Sequence, residues 1–546
     1  MRIFHIALVA VMLTLTNAGT AQASGVPTQY WAGADYGADL TGATDSTVAI
    51  NNCLTAAASS TNAAGGVCRI ESTGRVMVRS LTVIRGSSLD CQQGAIGLGS
   101  SYTTSNFGTA GAILLSGNTS SISLSSQTAI RNCNIFPAGM PFPQTSSSSW
   151  LGTALIVPVI TGGASDVSLS NVLIAGFSVC FDSYQSGNGL ASRVHMDHVL
   201  LDCNTGLLAG QSLDNSTYYD VHVWPAATSA YCNSLGSSSC SGATFASVQG
   251  RSGPGLSFNG AHNDGTIVGG KSLGFGHNPN LYVNSANVDI SSFWSDSPNS
   301  SSGTVYGVDI EAGATDFKAD FLSFAGGGLG AAYYTALNIS QNGNAQMGKV
   351  NINGSGLSCI GINQTNVLID NLVTQNCGLQ TPSGQNGSPV IAIVNNTSTL
   401  SITSGRIFQG FTTQRLVDVA IPSGMSEFQF HLGYLSDLPG GATLFGSNNL
   451  STTNITATSD LIIPVNARVV RLDNNTTINT MSGCWGGRQI VVIAPLGATF
   501  VNAGSGAYSQ VFLNGMTNAS LSSGASTISF VCSDGNQWFE IGRSNY

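Results

Sequence analysis

The chain has 546 residues, 67 of them Gly, with 42% hydrophobic and only 8% charged residues and a formal net charge of −9. Glycine at this level without a strict third-residue period excludes collagen, and so large an apolar fraction excludes a disordered chain. Lysine occurs only at Lys271, Lys318 and Lys349, so no nucleic-acid partner is expected.

Residues 1–23 have the form of a secretory signal, with Arg2, an apolar run from Ile6 to Leu15, and small residues at Ala21 and Ala23. That run is too short to span a bilayer, and no later stretch reaches ~18 uninterrupted apolar residues, so no membrane span is expected. The mature chain is therefore expected to be secreted, or held in the periplasm or at the cell surface. All 12 cysteines follow the cleavage point, an even number that suits disulfides in an oxidising compartment. Cys232 and Cys240 flank a Ser/Gly loop, Cys359 and Cys377 are placed to meet on neighbouring repeats, and Cys484 and Cys532 stand near the C-terminus. No C-x-x-C pair occurs, and no metal site is expected.

Residues 24–65 read as a cap. Thr44 or Asp45 can start a short helix with Val48, Ala49, Leu54 and Ala57 on one side, and strands follow at Gly65–Ile70 and Leu81–Leu89. A helix ahead of edge-type strands shields the first coil of a solenoid. The segments DYGADLTGATDSTVAI, GGVCRI and LTVIRGSSL resemble the opening of the pectate lyase-like superfamily of right-handed parallel β-helices. Polysaccharide lyases, polygalacturonase-type hydrolases and phage tailspike depolymerases share that opening. The resemblance covers residues 33–100 by motif and runs to about 440 by repeat pattern. It implies the fold and leaves the reaction open, because one fold hosts several chemistries.

Residues 137–158 read as a loop inserted between coils. Beyond them the repeat is plain. Val167–Ile174, Val194–Leu201 and Ser216–Val223 each alternate apolar and polar residues, pass one polar residue, and alternate again. The bend positions Asn171, His198 and Asp220 lie 27 and 22 residues apart. Period-two patterning in units of this length predicts a right-handed parallel β-helix over residues 66–440. A second excursion runs from Pro225 to about Gly250, and further bends are expected at Gly265, Ser292, Phe321, Lys349 and Asn371. Residues 450–546 change character to short strands joined by Gly/Asn turns, predicting a small C-terminal antiparallel, sandwich-like β domain. The runs GRQIVVIA and CSDGNQWFEIGRS resemble C-terminal modules of phage tail fibres. That likeness implies attachment or a homotrimer; a monomer with a capped solenoid is the other reading.

With the bends placed, the outward positions one and three residues before each form a strip. Its middle coils collect His195, Asp197, Tyr219, His262, Asp264, Asp289, Lys318 and Asp320 in a chain where charge is scarce. Outward strand positions must be polar in any case, so it is the clustering that points to function. Glycoside cleavage needs paired carboxyls, and stacked coils present a continuous face to an extended polymer. Asp264 and Asp289 are the expected catalytic pair, diagonal neighbours roughly 8 Å apart from ~4.8 Å of stacking and ~6.6 Å of strand rise. Asp197 is a third catalytic candidate, and His195, Tyr219, His262, Lys318 and Asp320 are the expected substrate contacts. Asp309 and Glu311, on a third strand, form a competing acidic pair.

Family motifs transfer poorly. The polygalacturonase D-D, G-H-G and R-x-K elements are absent, and Gly276-His277-Asn278 breaks the second of these. Val194–His198 is similar to the V-W-I-D-H segment of pectate lyases, but their R-x-P-x-x-R motif is missing. Three functions follow: hydrolysis of an extended polysaccharide first, a non-catalytic carbohydrate-binding adhesin or spike second, a polysaccharide lyase third. No cofactor is expected, with Ca²⁺ entering only for a lyase.

Overall fold

The computed structural model describes residues 26–544 except for 63–64, 93–112, 140–150, 158–163, 186–189, 224–253, 274–278, 297–304, 326–333, 341–342, 364, 378–389, 394–398, 409–414, 420–429, 437–442, 446–452, 464–468, 483, 485–487, 504–509, 525 and 534–536. The signal-like segment and the Cys232/Cys240 pair lie outside the described residues.

Each coil is one long strand, bent once, followed by a short strand. Ala164–Ala175 precedes Phe177–Asp182, and Ala191–Asp202 precedes Thr205–Ala209. Every strand pairs in parallel with its equivalent one coil later: Val167 faces Val194, Leu169 faces Met196, and His195 faces Thr217. The chain thus winds as a right-handed parallel β-helix.

The bend residue explains how one strand serves two faces of the helix. Val167 and Leu169 point inward, and so do Val172 and Ile174, all fully buried. The alternation slips by one residue between them, at Asn171. Asn171, His198 and Asp220 absorb that slip in the left-handed region, at φ 54°, 53° and 50°. Asn, Asp and His tolerate this region better than other non-glycine residues. Asn171 Nδ2 donates to Asn132 Oδ1 at 2.9 Å, and Asn132 Nδ2 donates to Asp90 Oδ1 at 3.1 Å, so side chains at successive bends also satisfy one another.

Register carries these bends along the stack. Gly270 faces Phe293, Phe293 faces Leu322, Phe321 faces Lys349, and Lys349 faces Asn371, which places bends at Ser292, Phe321, Lys349 and Asn371 as expected. One expected bend is corrected. Tyr219 faces Val268, so Asp220 stacks beside Gly269 (φ 68°), and the bend lies four residues after Gly265. The strand Leu256–Val268 shifts register between Asn259 and Gly265, and the extra residues there leave no trace in the alternation.

Two further expectations change. Leu151–Ile156, inside the expected loop, is a coil strand paired with Phe177–Asp182. In the cap, the helix Thr47–Ala58 buries Ile50, Cys53, Leu54 and Ala57 while Val48 is exposed. Its N-cap is Ser46, although the Asp45 carboxylate accepts from the Thr47 N–H at 3.0 Å. Cys53–Cys68 ties this helix to the strand Gly66–Arg69. Cys91–Cys133, Cys180–Cys203 and Cys359–Cys377 join successive turns of the chain. These bonds point to an oxidising compartment.

The last strand of the long solenoid sheet is Thr443–Phe445. A second buried cluster begins at Ala457 and includes Trp538, whose Nε1 donates to the Met481 carbonyl at 3.1 Å. This part is antiparallel only towards its end, where Thr527–Cys532 pairs with Gln489–Ile493 and Trp538–Ser544. Its earlier strands pair in parallel, as Thr453–Ile455 does with Val469–Leu472. Cys484–Cys532 closes it.

Inward packing makes the register testable. Val199 is 1% exposed, whereas the Asp197 side chain two residues earlier is 55% exposed. Val199→Asp buries an unpaired carboxylate and should cost more than ~4 kcal/mol, against less than ~1 kcal/mol for Asp197→Asn. Urea unfolding followed by circular dichroism measures both; equal losses would place Val199 on the wrong face.

Candidate functional site

Two columns of side chains run side by side where each coil begins. The first occupies positions three residues before the bends and stacks Ser168, His195, Thr217, Thr266, Asp289, Lys318, Gln346 and Leu368 in continuous register. The second lies two residues earlier and includes Asp166, Arg193, Asn215, Asn287, Asp316 and Asn344. Asp166, Arg193, Asn287 and Asp316 there have φ of 60°, 52°, 62° and 53°, a second left-handed turn at the entry to the coil. Polar residues hold it for the same reason that they hold the bends.

Towards the N-terminal end this second column is closed by charge. Arg193 bonds both carboxylate oxygens of Asp166, at 2.6 and 3.0 Å, and reaches Asp214 at 2.6 Å, spanning three coils. These hydrogen bonds hold the Asp166 and Asp214 carboxyls below the usual carboxylate range. Further along, the two columns part to form a groove with a volume of about 530 Å³. One wall carries Asn215, Asn287, Asp316 and Asn344, the other Thr266, Asp289, Lys318 and Gln346, with Gly265 and Phe317 between them.

Among the described residues, two carboxyls line the groove. Asp289 and Lys318 are register partners on adjacent coils, and Asp316 lies two residues before Lys318. One stacking step of ~4.8 Å and two residues of ~3.3 Å rise put the Asp289 and Asp316 backbones roughly 8 Å apart. The amides of Asn215, Asn287, Asn344 and Gln346 supply donors and acceptors for hydroxyl groups along the same walls.

The expected site residues divide. Asp289 and Lys318 line the groove. Asp264 precedes Gly265 and so belongs with the second column, while Thr266 occupies the place expected of His262; the side chains of Asp264 and His262 lie outside the described residues. Asp197 stands three coils from Asp289 along the stack, on the order of 14 Å away. Its carboxylate is instead engaged at the bend: His198 Nδ1 lies 2.6 Å from Asp197, His198 Nε2 3.3 Å from Asp220, and His222 Nε2 2.7 Å from Asp220. Tyr219 packs its ring edgewise on His198, with centroids 5.7 Å apart. His195, Tyr219 and Asp320 are exposed on the first-strand face, outside the groove lining. Asp316 falls outside the expected strip, which takes only the positions one and three residues before each bend. A signal existed: Asp166, Arg193, Asn215, Asn287, Asp316, Asn344 and Asn366 all stand five before a bend.

Asp309 and Glu311 lie on another face. Asp309 stacks between Tyr282 and Asn338 on the outside of the third strands, and Asn338 Nδ2 donates to Asp309 Oδ1 at 2.7 Å. Burial pushes the Asp309 carboxyl up to about 6; the Asn338 bond opposes this and the Glu311 charge adds to it. The phenols of Tyr282 and Tyr306 are also raised, first by burial and then by these carboxylates. Among the described residues, no group of three or more His, Cys, Asp or Glu is arranged to hold a metal ion.

No protein-family model and no curated protein matches the sequence. Among solved structures, the chain is similar to the Dettilon tailspike protein at 12% identity and a TM-score of 0.41, over 93% of this chain and 76% of that one. It is also similar to the catalytic unit of a GH87 α-1,3-glucanase from Streptomyces thermodiastaticus, at 13% identity and a TM-score of 0.33, over 76% and 70% of the two chains. A third likeness is to PfbA, a surface adhesin of Streptococcus pneumoniae, at 11% identity and a TM-score of 0.32, over 75% and 92%. Likeness at this level does not select among functions.

The burial of Asp309 has a pH signature. A carboxyl whose folded pKa is raised binds its proton more tightly in the native state, so stability is full below about pH 4 and falls as pH rises through about 6. The loss is on the order of 2 kcal/mol. Asp309→Asn should remove it, making the variant more stable than wild type at pH 8 but not at pH 4. Urea unfolding at the two pH values checks this; an unchanged difference would mean that Asp309 ionises freely in the folded protein.

Proposed function

We propose that the protein cleaves glycosidic bonds of an extended polysaccharide by hydrolysis, in the groove between the two columns. The observation that supports this reading is the pairing of Asp289 and Asp316 from adjacent coils within one concavity lined by amides. Their backbones stand roughly 8 Å apart, a spacing from which the carboxyls can reach the ~6.5–9.5 Å separation used when one carboxyl protonates the leaving oxygen and the other activates a water on the opposite side of the sugar. Lys318 and the amide side chains would hold the sugar hydroxyls, and stacking repeats similar contacts along the polymer axis.

Elimination fits less well. A lyase must neutralise a uronate carboxylate and remove a proton, and among the described residues Lys318 is the sole cationic side chain lining this groove, against two carboxyls. A purely adhesive role would not require two carboxyls set across a concavity.

A screen of plant, capsular and exopolysaccharides should show reducing-sugar release without the ultraviolet absorbance of an unsaturated product. Asp289→Asn and Asp316→Asn should each lower kcat by ~10²–10⁴-fold with an unchanged thermal midpoint. Full activity in either variant removes that residue from the mechanism, an unsaturated product replaces hydrolysis by elimination, and binding without cleavage across the screen supports the adhesin.

A further inference from the structure

The third-strand face carries a set of groups that the groove does not use. Leu281, Val283, Val308, Ile310, Leu337 and Ile339 point into the core, so the residues between them, Tyr282, Asp309 and Asn338, stack on the outside over three successive coils. Tyr306 lies on the strand of Asp309, and Glu311 just after its end, close enough that both carboxylates act on the Tyr282 and Tyr306 phenols. Both tyrosines are partly buried, so their rings stand against the surface with part of each open to solvent. Beyond Asn338 the column continues as Gly361 and Ala392, which add no side chain larger than a methyl group.

We propose that this face, built on Tyr282, Tyr306, Asp309 and Asn338, is a second carbohydrate site that takes sugar units bearing no acid group. Three features point there. Tyrosine presents an apolar ring for the C–H face of a sugar and a hydroxyl at its rim, with few rotatable bonds to order on binding. Glu311 and Asn338, both part-exposed, supply oxygens beside these rings that accept hydrogen bonds from sugar hydroxyls, while Asp309 is covered and accepts from the Asn338 amide. Among the described residues, the charges that act on Asp309, Tyr282 and Tyr306 are carboxylates and a neighbouring phenol, with no lysine or arginine among them. A uronate would therefore place a third anion beside Asp309 and Glu311 without a balancing cation, whereas a neutral sugar would not. The idea rests on the reading that the protein acts on polysaccharide, and it adds a holding site on a different face from the groove.

The test uses full-length protein carrying Asp289→Asn, so that probes survive, and ring-¹³C tyrosine labelling with Tyr282 and Tyr306 assigned through their Phe variants. The probes are hexamers of glucose in α-1,4 and β-1,4 linkage, a hexamer of N-acetylglucosamine, and hexamers of galacturonate and mannuronate. At least one uncharged hexamer should shift both tyrosine signals, and the uronates should need ~10-fold higher concentration or more. Tyr306→Ala should abolish the Tyr282 shift, and Asp309→Asn should narrow the gap between neutral and acidic probes. No shift with any uncharged hexamer overturns the proposal, and so does equal response to the uronates. Because the readout is local binding and not cleavage, failure here leaves the groove mechanism standing. Failure of Asp289→Asn or Asp316→Asn to lower cleavage leaves this result standing in turn.

Discussion

One bend residue per coil governs the rest of the structure. A strand that alternates strictly can bury only one face, and a solenoid must turn its chain around a core without losing inward packing. At Asn171, His198 and Asp220 the backbone takes φ near 50°, the alternation slips by one residue, and apolar side chains point inward on both sides of the bend. Parallel pairing with the previous coil then copies the geometry forward, so an error of register in one coil would misplace its outward residues along the stack.

The groove follows from the same device used twice. A second left-handed turn, at Asn287 and Asp316, comes two residues before the outward column, and two polar columns run along the axis with a floor between them. Asp289 lies in the strand Leu281–Ile290 and pairs with Lys318 of the next coil, and Asp316 immediately precedes the strand Phe317–Ala325, which pairs on both sides. Positioning of this kind suits catalysis, because catalytic groups set on rigid elements lose little freedom when substrate binds. The charge clamp of Arg193 with Asp166 and Asp214 occupies the equivalent ground several coils earlier, where the column is pinned and not open.

Much of this was legible in the residues, for physical reasons. Burial on one face writes itself as alternation, and repeats of similar length write themselves as recurring bends, so Asn171, His198, Asp220, Ser292, Phe321, Lys349 and Asn371 could be placed. A bulge writes nothing: residues 259–265 shift register without breaking the polar pattern, so the pattern points to a bend at Gly265 although the bend lies at Gly269, and Asp264 falls in the second column. Asp316 was overlooked although the recurrence of Asn, Asp and Arg five residues before each bend was present, because a turn entering a strand resembles ordinary loop polarity. The raised carboxyl at Asp309 depends on burial against side chains of adjacent coils, which no local pattern reveals. The strand Leu151–Ile156 was masked by the serine-rich run ahead of it.

The central claim is that Asp289 and Asp316 face one another across a single glycosidic bond with room for a water between them. Proton NMR of the first-formed product, taken on a polysaccharide that the protein is found to cleave and before mutarotation, reads this most directly. Inversion at the anomeric carbon is the outcome that the roughly 8 Å separation predicts. Retention would require carboxyls ~5–5.5 Å apart and a covalent intermediate, and would contradict the assignment of this pair.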